Sequence, residues 1–117
     1  SAVALQAAAR GRLEGDPAQA PLEALRACVA LLGEALLLEP SDPELAYGLG
    51  LVHLQAARKG GGSADQNSAE RYLRRALDAD PRHLDAAQAL GALYEDQRNP
   101  QRALPLLEHA LQILLDQ

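Results

Sequence analysis

The side chains able to do chemistry in this 117-residue chain are few and scattered. His53, His83 and His109 fall in three different segments, and none stands beside a second His or a Cys at metal-ligand spacing. No metal site follows from them, because a metal needs several donors converging on one point. Cys28 is the only cysteine, which excludes an intramolecular disulfide and a cysteine metal site. With no His or acid placed to activate it, Cys28 reads as a small buried apolar residue rather than a nucleophile. Gly60-Gly61-Gly62-Ser63 has no Lys after the glycines and no strand before them, so it reads as a flexible turn and not a phosphate loop. Arg71, Arg74 and Arg75 cluster near Arg58, Lys59 and Arg82, with Arg71 and Arg75 on one helix face. A nucleic-acid patch would add stacking aromatics, and only Tyr72 adjoins them. They read as a solvated face paired with Glu70 and Asp78. No acid–base or nucleophile constellation emerges, so an enzyme is the least favoured class, and no cofactor or metal is expected.

The elements that would position these residues are helices. Ala and Leu supply 24 residues each, whereas Val and Ile together give four and Thr, Phe, Trp and Met are missing. Ala and Leu lose little in a helix, while strands favour β-branched and aromatic side chains. A hydrophobic share of 48% excludes a disordered chain. The net charge of -5 argues against general nucleic-acid or anionic-membrane binding. No uncharged run is long enough to span a bilayer. The start at Ser1, with no signal pattern after it, reads as a trimmed or mature piece.

Punctuation divides the chain into six helices. The first is expected from about Ala2 to Leu13, stopping at Gly15-Asp16-Pro17, and the second from about Pro21, as first helical residue, to Leu38. The third should start at Asp42-Pro43, with Asp42 as N-cap, and end near Arg58. The fourth covers about Asp65 to Ala79 and the fifth about Arg82 to Gln97. Asn99-Pro100 opens the sixth, in which Pro105 predicts a kink or a late start.

An internal repeat is the strongest signal. A shift of 41 aligns Ala35 with Ala76, Leu36 with Leu77, Pro40 with Pro81, Ala46 with Ala87, Leu49 with Leu90 and Gly50 with Gly91. A shift of 34 aligns Ala69 with Ala103, Leu73 with Leu107, Ala76 with Ala110 and Leu77 with Leu111. The difference falls at about 59–66 and reads as a loop insertion, which costs little. Small residues recur where helices would cross closely, at Gly50, Gly91, Ala69, Ala76, Ala103 and Ala110.

This pattern resembles the tetratricopeptide repeat (TPR) family, a 34-residue helix–turn–helix with the signature W-x2-L-G-x2-Y, A-x3-F, then P. The last repeat matches it through Ala87, Leu90-Gly91, Tyr94, Ala103, Leu107 and Ala110, with Leu115 in place of the closing Pro. The middle repeat offers Ala46, Leu49-Gly50, His53, Ala69, Leu73, Ala76 and Pro81. The first offers Cys28, Leu32, Ala35 and Pro40, without a Leu-Gly pair in its first helix. The resemblance implies an all-α, right-handed superhelix of three helix pairs in a single domain, with repeats at about 1–40, 41–81 and 82–117. It also implies a concave groove, lined by the first helix of each pair, that holds a peptide or helix of a partner protein.

Carried onto this sequence, the groove reads Glu44, Tyr47, Leu51, Leu54 and Gln55, then Asp85, Gln88, Ala92, Glu95 and Asp96. That is an apolar strip with an acidic edge, which suits an amphipathic or basic partner segment. A carboxylate clamp of basic side chains is not expected, with Arg10 on the first helix the one opening for it. The last helix is apolar on nearly all faces. Leu107, Leu111 and Leu114 should pack on the fifth helix, leaving Leu106, Ile113 and Leu115 outward for self-association. Two function classes therefore stand: an interaction scaffold, or a self-assembly module or slice of a longer solenoid, with homo-oligomers possible.

Overall fold

A computed structural model of the chain describes residues 1–13 and 16–117. Among the described residues there are six α-helices and no strand. They are α1 (Ala2–Leu13), α2 (Leu22–Leu38), α3 (Pro43–Ala56), α4 (Gly62–Ala79), α5 (Leu84–Asp96) and α6 (Pro100–Leu115). The expected stop of the first helix at Gly15 lies outside the described residues.

Helix starts follow from side chains that satisfy the free N–H groups of the first turn. Asp42 accepts from the Glu44 N–H at 2.9 Å, and Pro43 follows as first helical residue of α3. Asn99 does the same for α6, accepting from the Arg102 N–H at 3.2 Å. Pro21 stands one place earlier than expected, as the N-cap of α2, and makes no side-chain cap bond. The fifth helix starts at Leu84 rather than near Arg82, because the His83 ring takes the cap and accepts from the Ala86 N–H at 3.0 Å.

α6 has no late start: it runs from Pro100 through Pro105. Pro105 and Gln101, whose carbonyl the proline ring displaces, are both exposed, so water can take the freed carbonyl. α5 ends with Arg98 at φ +56°, a left-handed conformation usually left to glycine. The Arg98 and Asn99 N–H groups donate back to Glu95 and Tyr94 at 2.9 Å each, closing the helix end.

The glycine run makes a tight kink: the backbone of Ala57–Gly61 leaves helical geometry at Lys59 and Gly60, and α4 begins at Gly62, three residues before Asp65. Gly60 (φ +109°) and Gly62 (φ +66°) supply the backbone conformations that the turn needs. Asp65 thus falls inside the first turn of α4 instead of capping it, although it stands 34 residues before the capping Asn99. Its carboxylate turns inward, 5% exposed, and takes two bonds from Arg26 of α2 at 2.6 and 2.7 Å. A third partner is His53 Nδ1 of α3 at 2.9 Å. A side chain at Gly61 would overlap this carboxylate.

Each helix packs mainly on its neighbours in sequence. One core cluster joins α1, α2 and α3 through Ala9, Leu25, Cys28, Leu32, Leu36, Leu45 and Leu49. A second joins the later helices through Leu54, Ala69, Leu73, Leu90, Leu93, Tyr94 and Ala103. Tyr47 and Leu77 pack against both. The Cα radius of gyration, 13.7 Å, is close to the roughly 13 Å of a globular chain of this length.

The repeat offsets reappear as contacts. An added Cβ at Gly50 would meet the Leu73 side chain at 2.7 Å, and one at Gly91 would meet Leu107 at 2.9 Å. Arg75 donates to the Pro40 carbonyl at 2.9 Å, while His109, 34 residues on, reaches the Pro81 carbonyl through Nε2 at 2.6 Å. The arginine cluster is occupied in this way rather than by Glu70 and Asp78. Arg74 donates to the Tyr94 hydroxyl and Arg71 to the Tyr72 hydroxyl, and Glu70 lies near Arg102 at 3.8 Å.

The last helix faces in part differently from expectation. Leu107 does meet α5, at Gly91, although it is 38% exposed, but Leu111 and Leu114 are 55 and 46% exposed, whereas Ile113 is buried and Leu106 half-buried. Ala103 and Ala110 set the line of contact with α5, and Leu106 and Ile113 sit three residues after each, on the same stripe. Of the three residues expected outward, only Leu115 is exposed.

The first prediction compares two glycines. Gly33 has nothing within 4 Å of an added Cβ, so Gly33→Ala should stabilise by roughly 0.5–1 kcal/mol. Leu73 is fully buried and cannot yield, so Gly50→Ala should instead destabilise by about 1–3 kcal/mol. Urea midpoints moving in the same direction would contradict the Gly50–Leu73 contact.

The second concerns pH. Hydrogen bonds from Arg26 hold the Asp65 carboxyl down at about 2, with His53 adding to the effect against the cost of burial. A carboxyl lowered on folding stabilises the folded state above its unfolded pKa, and that stabilisation is lost as pH falls through the folded value. The stability advantage of the native chain over Asp65→Asn should therefore shrink by roughly 1–2 kcal/mol between pH 5 and pH 2, Arg26 being partly exposed. A gap independent of pH, measured by denaturant unfolding, would rule the pairing out.

Candidate partner-binding groove

α1 and α3 stand either side of a cleft of about 180 Å³. The α3 wall is Glu44, Tyr47, Gly48, Leu51 and Val52; the α1 wall is Gln6, Ala9, Arg10 and Leu13; Leu32 of α2 closes it. The helical spacing of Glu44, Tyr47 and Leu51 puts them on one face of α3. Gly48 leaves room for the Leu32 side chain, 3.7 Å from where its Cβ would stand. The cleft thus has an apolar lining, with a cation on one wall and an anion on the other.

His83 fixes the acidic wall. Because its Nδ1 accepts from the Ala86 N–H, the ring proton sits on Nε2 and is donated to the Glu44 carboxylate at 2.6 Å. The ring is buried and lies 4.9 Å from that of Tyr47, tilted by 39°. Burial, then the charges of Asp85 and Glu44, raise the Tyr47 phenol above its ordinary pKa, so it remains a neutral hydrogen-bonding group. One imidazole therefore caps α5, orients Glu44 on α3 and packs on Tyr47.

The ten expected groove residues do not form one surface. Glu44, Tyr47 and Leu51 line the cleft, and Asp85 acts on Tyr47 through its charge. Leu54 is 2% exposed and belongs to the second core cluster, because the close crossing of α3 and α4 turns it inward. Asp96 is engaged by Arg58, at 2.7 and 3.3 Å, across the end of the helix pair. Glu95 lines a different cleft, of about 330 Å³, with Arg98, Asn99, Pro100, Ala103, Leu104 and Leu107. Gln88 is exposed, and Gln55 and Ala92 are half-buried; none of these three lines the α1–α3 cleft. Arg10, Gln6 and His83 belong to the site although the acidic-strip reading left them aside. A shift of 41 from the N-cap Asp42 lands on His83, which is the signal that marks it.

Cys28 is buried, donates from Sγ to the Ala9 carbonyl at 3.1 Å, and is pushed up in pKa by burial, so its thiol stays protonated. Among the described residues no group of three metal-ligating side chains converges, and no helix is long and apolar enough to cross a membrane. No protein-family model matches the chain, and no curated protein matches it either.

The double role of His83 is testable. His83→Ala removes the cap and the tie to Glu44, and should cost about 1–2 kcal/mol. Asn is a good cap, so His83→Asn should recover most of that loss. Equal thermal midpoints for the two variants would show that the cap contributes nothing.

Proposed function

We propose that this chain is a non-enzymatic interaction scaffold of TPR-like type, a right-handed superhelix of three helix pairs. Its cleft between α1 and α3 takes an amphipathic segment of a partner protein. The observation that carries this reading is the half-buried apolar lining of Tyr47 and Leu51, held between Arg10 and the His83-oriented Glu44. Apolar side chains in a cleft flanked by opposite charges suit a helix or peptide with an apolar stripe. Fixed charges on either side would set its direction. Glu44 and Asp85 favour basic residues at one edge of the segment, and Arg10 adds a place for one acidic group. The TPR-like reading draws support from the contacts that recur at the repeat offsets, Gly50 with Leu73 and Gly91 with Leu107.

A second reading, a self-assembly module, is favoured by a separate observation. Leu104, Leu111, Leu114 and Leu115 are 46–69% exposed along α6. The two readings use different faces and are compatible.

Selection of displayed 12–15-residue peptides against the chain tests the groove. Selected peptides should combine an apolar stripe with basic residues. Leu51→Asp places a charge in the lining and should weaken binding at least tenfold, about 1.4 kcal/mol, with helicity unchanged. Undiminished affinity in a variant that circular dichroism shows to be folded would move the site elsewhere.

A further inference from the structure

The three histidines use their rings differently. His53 donates from Nδ1 to the ionised Asp65 carboxylate at 2.9 Å. His109 donates from Nε2 to the Pro81 carbonyl at 2.6 Å. Both of these rings act as donors, so a second proton on the other nitrogen leaves the bond in place. His83 spends a nitrogen as an acceptor: Nδ1 takes the Ala86 N–H at 3.0 Å, while Nε2 donates to Glu44 at 2.6 Å.

A buried imidazole engaged at both nitrogens has one way to take up a second proton. The proton must go on Nδ1, where two N–H groups would then face each other, so the cap bond breaks. The imidazolium would also stand at the N-terminus of α5, where the helix field disfavours a cation. Two courses are then open to the ring. If it turns away from Ala86, Nε2 leaves Glu44 and the acidic wall loses its support. If it stays on Glu44, its positive charge offsets that of the carboxylate. Both weaken the fixed negative charge that the cleft offers to a basic residue.

The other charged and titratable groups around the ring do not share this behaviour. Tyr47 on α3 is kept neutral by burial, and Asp85 on α5 acts on it through its charge. Arg10 on α1 stands across the cleft. In the turn before the ring, Asp80 accepts the His83 N–H through its carbonyl and the Arg82 N–H through its carboxylate. Arg82 reaches toward Asp116, beyond α6, at 3.7 Å. Carboxylates, tyrosine and arginine ordinarily keep their charge between about pH 5.5 and pH 8, and histidine is the type that changes there.

We propose that His83 is a proton-operated latch on the α1–α3 cleft: the neutral ring holds Glu44 for a basic residue of the partner, and mild acid releases that residue. The proposal rests on the groove reading for its partner and on the cap geometry for the latch itself.

An NMR titration of the 117-residue chain from about pH 8 to about pH 5.5 reads the latch with no partner present. The Ala86 amide and the Glu44 carboxyl carbon should shift together with the His83 ring signals, at one midpoint. Exchange of the Ala86 amide with water should speed up as the cap opens. An Ala86 amide that does not move while the His83 ring gains its proton overturns the proposal, and so does a ring that gains none in this range. The second arm uses a peptide selected against the cleft that contains Lys or Arg and no His. Its Kd should rise about three- to fivefold between about pH 7.5 and pH 5.5, the size of one exposed ion pair. In His83→Asn, which keeps an N-cap without a titrating ring, the Kd should not change with pH, whatever its level. His109→Gln should keep the native pH dependence. Equal pH dependence in the native chain and in His83→Asn overturns the proposal. A selection that yields no peptide counts against the groove reading, while the NMR titration still decides the latch.

Discussion

A buried carboxylate holds the middle of this molecule. Asp65 is nearly inaccessible, and its charge is tolerated only because Arg26 and His53 reach it from two other helices. The desolvation of an ion inside a protein is offset only by such close, multiple partners. The arrangement fixes how α2, α3 and α4 meet, and it dictates local sequence as well. Gly61 must lack a side chain, and α4 must begin before Asp65 so that the carboxylate is not used as a cap. The extra residues of the glycine-rich turn supply that earlier start. Arg26 keeps part of its surface in water, so the tie is a half-buried one, anchored at its acidic end.

The cleft follows from the same economy of polar groups. The His83 ring serves an N–H of its own helix with one nitrogen and a carboxylate of the preceding pair with the other. Every polar atom of the ring is used, and Glu44 and Tyr47 are held beside Leu51 without further supports. A chain with three tyrosines and no Phe or Trp has little bulk to spend on a binding surface. It places one of them, Tyr47, where two core clusters and the cleft meet.

The parts legible in the sequence were those written in local patterns or in the repeat. Asp42-Pro43 and Asn99-Pro100 announced their helices because capping involves residues two or three apart. Gly50 and Gly91 announced close crossings through their equal places in the repeat. The Asp65 cluster was hidden, since Arg26 stands 39 residues away and no short-range pattern links them. His83 was hidden by its type, histidine being an uncommon cap. The facing of α6 was hidden by excess: with leucines all round, periodicity alone selects no side, and Ala103 and Ala110 decide it. Of the ten expected groove residues, Glu44, Tyr47 and Leu51 came together in the cleft, and Leu54, Glu95 and Asp96 were drawn to other tasks.

The two carbonyl ties, Arg75 to Pro40 and His109 to Pro81, have a kinetic consequence. Each fastens a turn to the second helix of the pair that follows it, so both contacts lie within about one repeat of sequence. With packing also confined mainly to neighbours, little chain need be closed into loops before contacts begin to reward it. Such a chain should fold fast for its size. The Asp65 cluster, spanning three helices in the middle, is then the last region to open. Amide protons of α2 to α4 should therefore exchange most slowly, and those of α1 and α6 should report partial opening before the whole domain unfolds.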